Sequence, residues 1–447
     1  MSHLQIMNAV TMITTIAIFK TVIHLPTMSS VIKYITNDLF SSMADMTNLY
    51  ALQSGTISNF KQTTPAELQI LFGLHILMGT LKFPRVRMYW DTTLKMELLL
   101  DSMPRNRFFQ LRTNLHLVNS MAIPANNKYK FYKVRPIYTA IRNRRLELSM
   151  EEELAVDETM IPLTGKLSVK KYVKGKPSPW GIKIYMFRGD SGEAYDFILY
   201  QGASTEFQIS LLKEFGQGVY FDNFFSSYKL FQALKQEKIC AAGTVRLNRF
   251  ANPPLIPDKE AMKKERGFTE EICSADDITL VKWVDNKTVV LGSNFIGKGE
   301  IDKVERWDKK ESKYVTIDRP EIVKCYNHGM SGVDLFDQLM SYYRIFIKSK
   351  KWTLRAIFHA VDFAVEQSWL EYRKNASAIG LPTKKIMDLL HFCMKLADVL
   401  VLSGMDTSNR KRGRPSATPP DTSVQRRRGE TRPPEEVQYD GTTLASS

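Results

Sequence analysis

Aspartates in separate stretches of the chain stand in positions that suit metal-dependent phosphate chemistry. Asp157 and Asp222 each end a short apolar run that has the length of a buried strand. Asp334 and Asp337 lie three residues apart in a segment with helical periodicity, so on a helix they share a face. Carboxylates held close together repel unless a cation neutralises them, and Mg²⁺ prefers such oxygen ligands. Two ions about 3.5–4 Å apart can hold both oxygens of a phosphodiester displacement, whereas ordinary turn residues are the alternative interpretation.

The elements around Asp157 and Asp222 are predicted to form one α/β sheet. The first three strands follow each other as a meander and should be antiparallel, whereas helices cross between the last strands, which should be parallel. This order is that of a ribonuclease-H-like sheet, in which acids at the carboxyl ends of neighbouring strands converge. The predicted elements are strands at 154–157, 180–187 and 194–200, a helix at 206–215, a strand at 218–222, a helix at 227–238 and a strand at 239–244.

The segments on either side of this sheet differ from it in pattern. A broad apolar stripe after Pro65 predicts a helix over 66–78, and residues 108–118 also fit a helix. Short apolar runs in 246–325 indicate a β-rich insertion. The predicted organisation is an apolar amino terminus (1–29), a helical region (30–150), the first part of the α/β domain (151–245), the insertion (246–325), the resumed helix of the α/β domain (326–345), a second helical region (346–402) and a disordered basic tail (403–447).

Positive charge is localised along the chain and points to a polyanionic partner. The 447 residues include 62 Lys and Arg against 47 Asp and Glu, a formal net charge of +15. Residues 82–147 hold 14 basic and 4 acidic residues, and residues 341–374 hold 7 and 3. Basic residues interleaved with aromatics fit a DNA backbone surface, although a solvated helical face gives the same pattern. The hydrophobic content of 44% excludes a disordered chain, a collagen and a coiled coil.

Both ends of the chain carry signals for location. The run 410–415 contains the Arg-Gly-Arg-Pro core of an AT-hook, in which Arg412 and Arg414 would enter an A·T-rich minor groove, and it equally suits a nuclear localisation signal. Residues 1–19 carry no Lys, Arg, Asp or Glu, but Thr and Asn dilute their apolar run, which makes a poor membrane span. We therefore expect a nuclear protein without a membrane partner, with export as the lesser alternative.

Five motifs, in their joint order and spacing, give the chain a specific family resemblance. From about residue 31 to about 374 it resembles the piggyBac transposase family, including host proteins derived from piggyBac elements. The motifs are Val156-Asp-Glu-Thr-Met-Ile-Pro162, Tyr172-x-x-x-Lys176-Pro177-x-x-Trp180-Gly-Ile-Lys183, Tyr220-Phe-Asp-Asn-Phe-Phe-Ser-Ser227, Gly243-Thr-Val-Arg-x-x-Arg249 and Gly332-Val-Asp-Leu-Phe-Asp-Gln338.

The resemblance implies a ribonuclease-H-like (DDE) catalytic domain with a β-rich insertion, flanked by helical dimerisation and DNA-binding segments. Asp157, Asp222 and Asp334 match the three catalytic acids of the family, and Asp337 matches a fourth acid near the metal. Family members cut and paste double-stranded DNA at TTAA sites with Mg²⁺ or Mn²⁺, through hairpin ends. The implied protein is therefore a metal-dependent transposase that acts as a homodimer, using water first and then a 3′-hydroxyl as nucleophile.

Departures from the family pattern keep a second hypothesis open. Ser331 and Gly332 stand where the family has a glycine pair, so a small residue is retained. No cysteine follows Met394, so the cysteine-rich zinc-binding module that helps family members read transposon ends is not expected. The alternative is a domesticated, non-transposing DNA-binding protein that keeps the fold and the acids.

Basic residues near the acids are predicted to contact DNA. Some accompany the first acid in the sheet, two follow the last strand, and others follow the resumed helix. They are Lys170, Lys171, Lys174, Lys176 and Lys183, then Arg246 and Arg249, then Lys348, Lys350, Lys351 and Arg355. Trp180 and Trp352 are expected to fill the core rather than stack on bases.

Overall fold

A computed structural model gives the structure of the protein for residues 31, 33–55, 59–94, 96–176, 178–205, 218–309 and 311–405. The apolar segment 1–29, the predicted helix at 206–215 and the tail from residue 406 lie outside these described residues. Arg412 and Arg414 belong to that tail, so their predicted DNA contact also lies outside them.

Five helices precede the sheet in the described part of the chain, and the first two begin at hydroxyl caps. The side chain of Thr36 accepts a hydrogen bond from the Leu39 amide, and Thr64 caps the second helix in the same way. The second helix contains the predicted helix after Pro65 and buries its whole middle. The helices are α1 (Asn37–Gln53), α2 (Pro65–Leu81), α3 (Glu97–Ser102), α4 (Arg105–Asn114) and α5 (Arg135–Leu146), with 3₁₀ helices at Val86–Trp90 and Tyr132–Val134.

One mixed sheet follows these helices and carries the first two acids. Its strands, within the described residues, are β1 (Glu153–Pro162), β2 (Lys171–Tyr172), β3 (Trp180–Gly189), β4 (Ala194–Leu199), β5 (Gly218–Phe221), β6 (Cys240–Thr244), β7 (Thr269–Cys273), β8 (Thr279–Val284) and β9 (Thr288–Ser293). Their order is β2-β3-β1-β5-β6-β9-β8-β7, and β4 also pairs with β3. As predicted, β1, β3 and β4 are antiparallel, whereas β5 and β6 run parallel to β1.

Five of the described strands lie in the stretch 246–325, and three of them extend the main sheet. β9 pairs antiparallel with β6, with Gly243 opposite Gly292, and β8 and β7 continue outward from β9. Two further strands, β10 (Ile301–Asp308) and β11 (Lys313–Pro320), form a separate hairpin. The helix α6 (Tyr228–Gln236) connects β5 to β6, and α7 (Asp258–Ala261) precedes β7; a 3₁₀ helix spans Leu247–Phe250.

Four helices complete the described chain. They are α8 (Glu321–Gly329), α9 (Ser331–Tyr342), α10 (Trp352–Ala378) and α11 (Leu389–Gly404), with a 3₁₀ helix at Thr383–Lys385. The long helix α10 is buried along most of its length, because α2, α11 and the β3 face all pack into the same core around it. No helix among the described residues combines the length and the apolar character needed to cross a membrane.

Candidate active site

The parallel pairing of β1 with β5 brings the first two acids side by side. Val156 of β1 is the register partner of Phe221 of β5. Asp157 and Asp222 directly follow these two residues in sequence. Neighbouring strands lie about 4.8 Å apart, which puts both carboxylates at the point where this pairing ends. The prediction that Asp157 ends its strand was wrong, because β1 continues to Pro162 against its antiparallel partner β3.

Close packing holds α8 against β5 and α9 against the end of β3. A Cβ atom on Gly332 would lie 1.9 Å from the carbonyl oxygen of Gly189 in β3. A Cβ atom on Gly329 would lie 2.1 Å from the ring of Tyr220 in β5. A larger residue at either position would push the helices away, so these glycines set the approach of the α9 acids to the strands.

Asp337 is the α9 acid that contacts the residues of β1 and β3. Its carboxylate accepts a hydrogen bond from the Thr159 hydroxyl at 3.0 Å and lies 3.6 Å from the guanidinium of Arg188. Asp334 is exposed and makes no side-chain hydrogen bond or ion pair to a described residue. Asp337, rather than Asp334, is therefore the helix acid that the structure joins to Asp157.

The ammonium group of Lys176 joins Asp157 to Asp337. Its Nζ lies 3.2 Å from Oδ2 of Asp157 and 3.4 Å from Oδ2 of Asp337. Burial opposes this charge, but the two carboxylates outweigh burial and raise the pKa of Lys176. The predicted DNA-contact residue Lys176 is thus engaged by the acids. We call Asp157, Asp222, Asp337 and Lys176 the acid site.

Asp222 begins a loop that hydrogen bonds hold in shape. Its Oδ1 accepts a hydrogen bond from the Phe224 amide at 2.8 Å. Arg246 donates to the Asn223 side chain at 2.9 Å, and Arg249 donates to the carbonyl oxygens of Asn223 and Phe224 at 2.9 and 2.6 Å. Both arginines remain exposed, so they position the loop of the second acid while keeping a face toward solvent.

The surroundings of Asp222 disfavour its negative charge. Burial raises the pKa of this carboxyl, the Phe224 amide lowers it, and the nearby carboxylate of Asp157 raises it again. Within the described residues, Asp222 forms no ion pair with a cationic side chain. A cation bound beside Asp222 and Asp157 would therefore relieve an electrostatic cost that the fold imposes.

A buried ion pair lies next to the acid site. The ammonium of Lys183 lies 3.4 Å from Oε2 of Glu158 and 4.1 Å from the ring centre of Phe224. Burial and the carboxylate of Asp157 both raise the pKa of Glu158. Because Lys183 is enclosed by this acid and this ring, it could meet a DNA phosphate only by leaving both.

The loop around β2 presents cations and aromatic rings to solvent. Lys171 and Lys174 are exposed, and the ammonium of Lys170 lies 5.1 Å from the ring centre of Trp180. Trp180 is 54% exposed, so the prediction that it fills the core was wrong; it starts β3, where the two-residue strand β2 covers it only in part. The ring of Tyr172 lies 5.1 Å from that of Trp180.

The segment between α9 and α10 carries the remaining predicted DNA contacts. Lys348 donates to the carbonyl oxygen of Pro84 at 3.3 Å, and Lys351 donates to that of Thr113 at 2.9 Å. Arg355 donates to the carbonyl oxygen of Pro162 at 3.0 Å, whereas Lys350 is exposed. Trp352 packs against the main core, as expected. These cations fasten the segment to its neighbours through neutral acceptors and keep their charge uncompensated.

The carboxylate oxygens of the acid site are the kind of ligand that a hard divalent cation prefers, but too few of them lie close together to enclose one. In the part of the chain that the structure describes, no group of three or more His, Cys, Asp or Glu side chains is gathered closely enough to hold a metal ion. Two carboxylates, of Asp157 and Asp337, do converge on a single position, which the Lys176 ammonium takes. Mg²⁺ is commonly held by one or two protein carboxylates together with water and substrate phosphates, so this arrangement is compatible with it.

Sequence reasoning missed Arg188, Thr159 and the helix α8. Arg188 is fully buried, donates to the carbonyl oxygen of Val333 at 3.0 Å and lies 4.2 Å from the ring centre of Phe336. An arginine within the strongly apolar strand β3 was the available signal, since such a residue needs a buried acceptor. Thr159 gave no signal, because threonine is an ordinary strand residue.

Sequence comparisons match most of this chain. The family model described as Transposase IS4 matches residues 34–369. PiggyBac transposable element-derived protein 3 of Homo sapiens is 29% identical over 371 residues, which cover 78% of this chain and 62% of that protein. PiggyBac transposable element-derived protein 2 of Homo sapiens is 28% identical over 387 residues, covering 82% of this chain and 64% of that protein. The chain thus spans less than two thirds of the length of these relatives.

A solved structure shares the fold. It is the cryo-EM structure of the piggyBac transposase synaptic complex with hairpin DNA, which matches with a TM-score of 0.69 at 23% sequence identity. The match covers 85% of this chain and 80% of that one. At this identity the likeness speaks for the fold, and it confirms the mixed α/β architecture that the element order predicted.

Proposed function

The chain belongs to the piggyBac-type Transposase IS4 family, as its motifs predicted, and we propose that it is a piggyBac-like transposase that cleaves and transfers DNA strands at TTAA sites. The observation that carries this proposal is the acid site itself. Asp157 and Asp337 share one cation although 180 residues of chain separate them, and Asp222 lies beside Asp157 in the strand register. Such an arrangement of acids serves metal-dependent phosphate chemistry.

We further propose a ribonuclease-H-like catalytic domain made of residues 151–245 and 326–345. The antiparallel meander followed by two parallel strands supports this assignment. The stretch 246–325 would be the insertion, and the helical regions 30–150 and 346–402 would serve dimerisation and DNA binding. Nuclear location and a homodimer follow as proposals from the same family membership.

The metal is proposed to be Mg²⁺ or Mn²⁺, held by Asp157, Asp222 and Asp337, with the exposed Asp334 on the same helix as the remaining family acid. A divalent cation bound there supplies Lewis-acid stabilisation of the phosphate charge. The residues of this chain would do the rest. The glycines of α8 and α9 fix the distance of the helix acids, and Arg246 and Arg249 hold the Asp222 loop.

Lys176 has two roles in this proposal. In the structure its ammonium neutralises Asp157 and Asp337. If Asp157 and Asp337 held a divalent cation, the Lys176 ammonium would be free to stabilise negative charge on a nearby phosphate. Lys170, Lys171 and Lys174, with Trp180 beside them, are proposed to contact the DNA backbone outside the acid site.

A nicking assay tests the proposal. The full chain would be incubated with TTAA-flanked duplex DNA with and without Mg²⁺, alongside Asp157→Asn and Asp222→Asn. Asp101→Asn, an exposed aspartate at the end of α3, is the matched control. We expect Mg²⁺-dependent nicking by the parent and by Asp101→Asn, and its loss in both site variants. Absence of nicking in the parent, at concentrations where it binds the DNA, would overturn the enzyme proposal.

A second candidate is a domesticated DNA-binding protein that does not transpose. The observation that favours it is that Lys176 already neutralises two of the acids, while no group of three metal-ligating side chains is gathered in the described residues. The same assay separates the two functions. The binder retains salt-sensitive DNA affinity, shows no nicking, and is unaffected by Asp222→Asn.

A further inference from the structure

Two neighbouring cavities open beside α2, α4 and the segment that joins α9 to α10. The first has a volume of about 370 Å³ and the second about 480 Å³. Val86 and Arg112 line both, so the cavities share a wall. Cavities of a few hundred cubic ångströms are large enough for a small ligand or for one residue of a polymer.

Seven cationic residues line these cavities. Lys82 and Arg344 line the first, Arg85, Arg87, Lys348 and Lys351 line the second, and Arg112 lines both. None of the seven forms an ion pair with a described residue, and the described walls include no acidic side chain. We call these seven residues the cationic cleft. So much uncompensated charge in one concave surface favours a polyanionic ligand.

Arg112 makes the strongest case for a built site. It is only 8% exposed, and its guanidinium has no hydrogen bond or ion pair to a described residue. Burial lowers the pKa of this guanidinium, as expected where no carboxylate compensates it. A buried cation without a partner is costly, so its persistence at a cavity wall points to a ligand that supplies the missing anion.

His75 adds a polar atom that also lacks a partner. It lines the first cavity, is 2% exposed, and places Nδ1 2.8 Å from the carbonyl oxygen of Leu71. A carbonyl oxygen only accepts, so Nδ1 carries the proton and Nε2 is left as an acceptor without a partner among the described residues. Burial and the charge of Arg112 lower the pKa of His75 to about 3, which keeps this acceptor neutral.

Phe346 supplies a flat apolar surface at the same place. It lines the first cavity with 59% of the residue exposed, and the ammonium of Lys348 lies 5.3 Å from its ring centre. Proteins that bind single-stranded nucleic acids combine such exposed rings, on which bases stack, with cations that follow the backbone. A paired duplex cannot offer an unstacked base to this ring.

We propose that the cationic cleft binds an unpaired DNA strand, with phosphates at Arg112 and its neighbours and one base stacked on Phe346. That the strand is DNA rests on the proposed function. The need for an anion rests on the buried arginine, and the need for an unpaired strand rests on the exposed ring. This site is separate from the acid site and would hold strand ends that transposition leaves unpaired.

Fluorescence anisotropy on the full chain tests the proposal. The probe is a labelled single strand of about eight nucleotides, with the duplex of the same sequence as comparison. Phe346→Ala should weaken single-strand binding about tenfold. Arg87→Gln should make the slope of log affinity against log salt less steep by about 0.7. Phe346 and Arg87 are exposed, so these two variants should fold. Arg112→Met is a third variant, at the buried arginine of the cleft.

Lys263→Gln is the matched control, because Lys263 is an exposed lysine outside the cleft. It should bind the single strand like the parent. Unchanged single-strand affinity in Phe346→Ala and Arg87→Gln would overturn the proposal, and so would a loss confined to the duplex. A strand carrying 5-iododeoxyuridine should cross-link on illumination to a peptide that contains Phe346, and cross-linking only elsewhere would also contradict it.

The two proposals fail separately. Asp157→Asn should lose nicking and keep single-strand binding, whereas Phe346→Ala should keep the acid site intact. If the parent never nicks DNA but the cleft variants still lose single-strand affinity, the cleft stands and the enzyme proposal falls. If nicking occurs and the cleft variants bind the single strand like the parent, the enzyme proposal stands and the cleft proposal falls.

Discussion

Two regions of this protein gather charged side chains, and they balance them differently. In the Arg145 network, which joins α5, α10 and the start of β4, the fully buried Arg145 donates to the Tyr34 hydroxyl at 2.8 Å and lies 3.4 Å from Glu371. Arg144 pairs with Glu371 at 2.7 Å and with Glu147 at 2.9 Å. Lys374 pairs with Glu193 at 3.1 Å, so three cations face three acids. The network members are Tyr34, Arg144, Arg145, Glu147, Glu193, Glu371 and Lys374.

The acid site has more acids than cations. Lys176 serves both Asp157 and Asp337, whereas Asp222 has no cationic partner among the described residues. Burial raises the pKa of Asp222, so the fold bears a cost there that it avoids around Arg145. A matched set of buried charges therefore serves stability, whereas an unmatched set marks a place where a ligand completes the charge.

The largest effect should come from removing one acid of the unmatched set. Asp157→Asn should lower metal-dependent nicking about 10,000-fold, because a metal contributes several kcal/mol of transition-state stabilisation. Its thermal midpoint should stay close to that of the parent, since the substitution removes both the repulsion with Asp222 and the ion pair with Lys176. Nicking rates and thermal melts measure the two quantities. A large fall in the midpoint would show that the acid site is structural, like the Arg145 network.

Removing the central cation of the matched set should do the opposite. Arg145→Met should cost about 3–5 kcal/mol of unfolding free energy, because it removes the fully buried cation that faces both Glu371 and Glu193. Denaturant unfolding measures this loss. Arg105→Met, at an exposed position in the first turn of α4, is the control and should change stability by less than about 0.5 kcal/mol. Equal stability of the two variants would contradict the distinction between the regions.

Glu366 lies between the two regions and should make stability depend on pH. Burial raises its pKa from 4.5 to about 8, while Gln367, Arg145 and Arg188 pull it down. The folded state therefore favours the protonated form. The stability that protonated Glu366 contributes is fully present below its pKa in the unfolded chain. It is lost as pH rises through its pKa in the folded protein. Between those values the parent should lose roughly 1.4 kcal/mol per pH unit relative to Glu366→Gln.

Unfolding free energies of the parent and of Glu366→Gln at pH 5 and pH 8 check this expectation. The parent curve should fall toward pH 8 more steeply than that of the variant. Parallel curves would mean that Glu366 is charged in the folded state, and so belongs to the balanced network after all.

The smallest effect concerns the cation that the acids share. Lys176→Gln should raise the affinity for Mn²⁺ about fivefold, because a partly exposed ion pair is worth about 1 kcal/mol and the metal no longer competes with it. Isothermal titration calorimetry without DNA measures this affinity. Lys174→Gln, from the same loop but exposed, should bind Mn²⁺ like the parent. Weaker Mn²⁺ binding by Lys176→Gln would show that the lysine supports the metal rather than excluding it.

Sequence reasoning went furthest where a signal was local. The strand order and the helix after Pro65 follow from apolar periodicity and caps, and both agree with the structure. The contact between Lys176 and the acids could not be predicted, because it depends on how the β2 loop folds back over β1. The unpartnered state of Arg112 was equally out of reach, since periodicity reveals burial but not the absence of a neighbour.

The pairing of β6 with β9 has a consequence for how this protein is made. β6 ends at Thr244 and its antiparallel partner begins at Thr288. During synthesis at roughly 5–20 residues per second, several seconds pass before the partner emerges. Until then the unpaired backbone N–H and C=O groups along one side of β6 are exposed and can pair with another chain. Chaperones that bind exposed strand edges during this interval should therefore lower aggregation of the nascent chain.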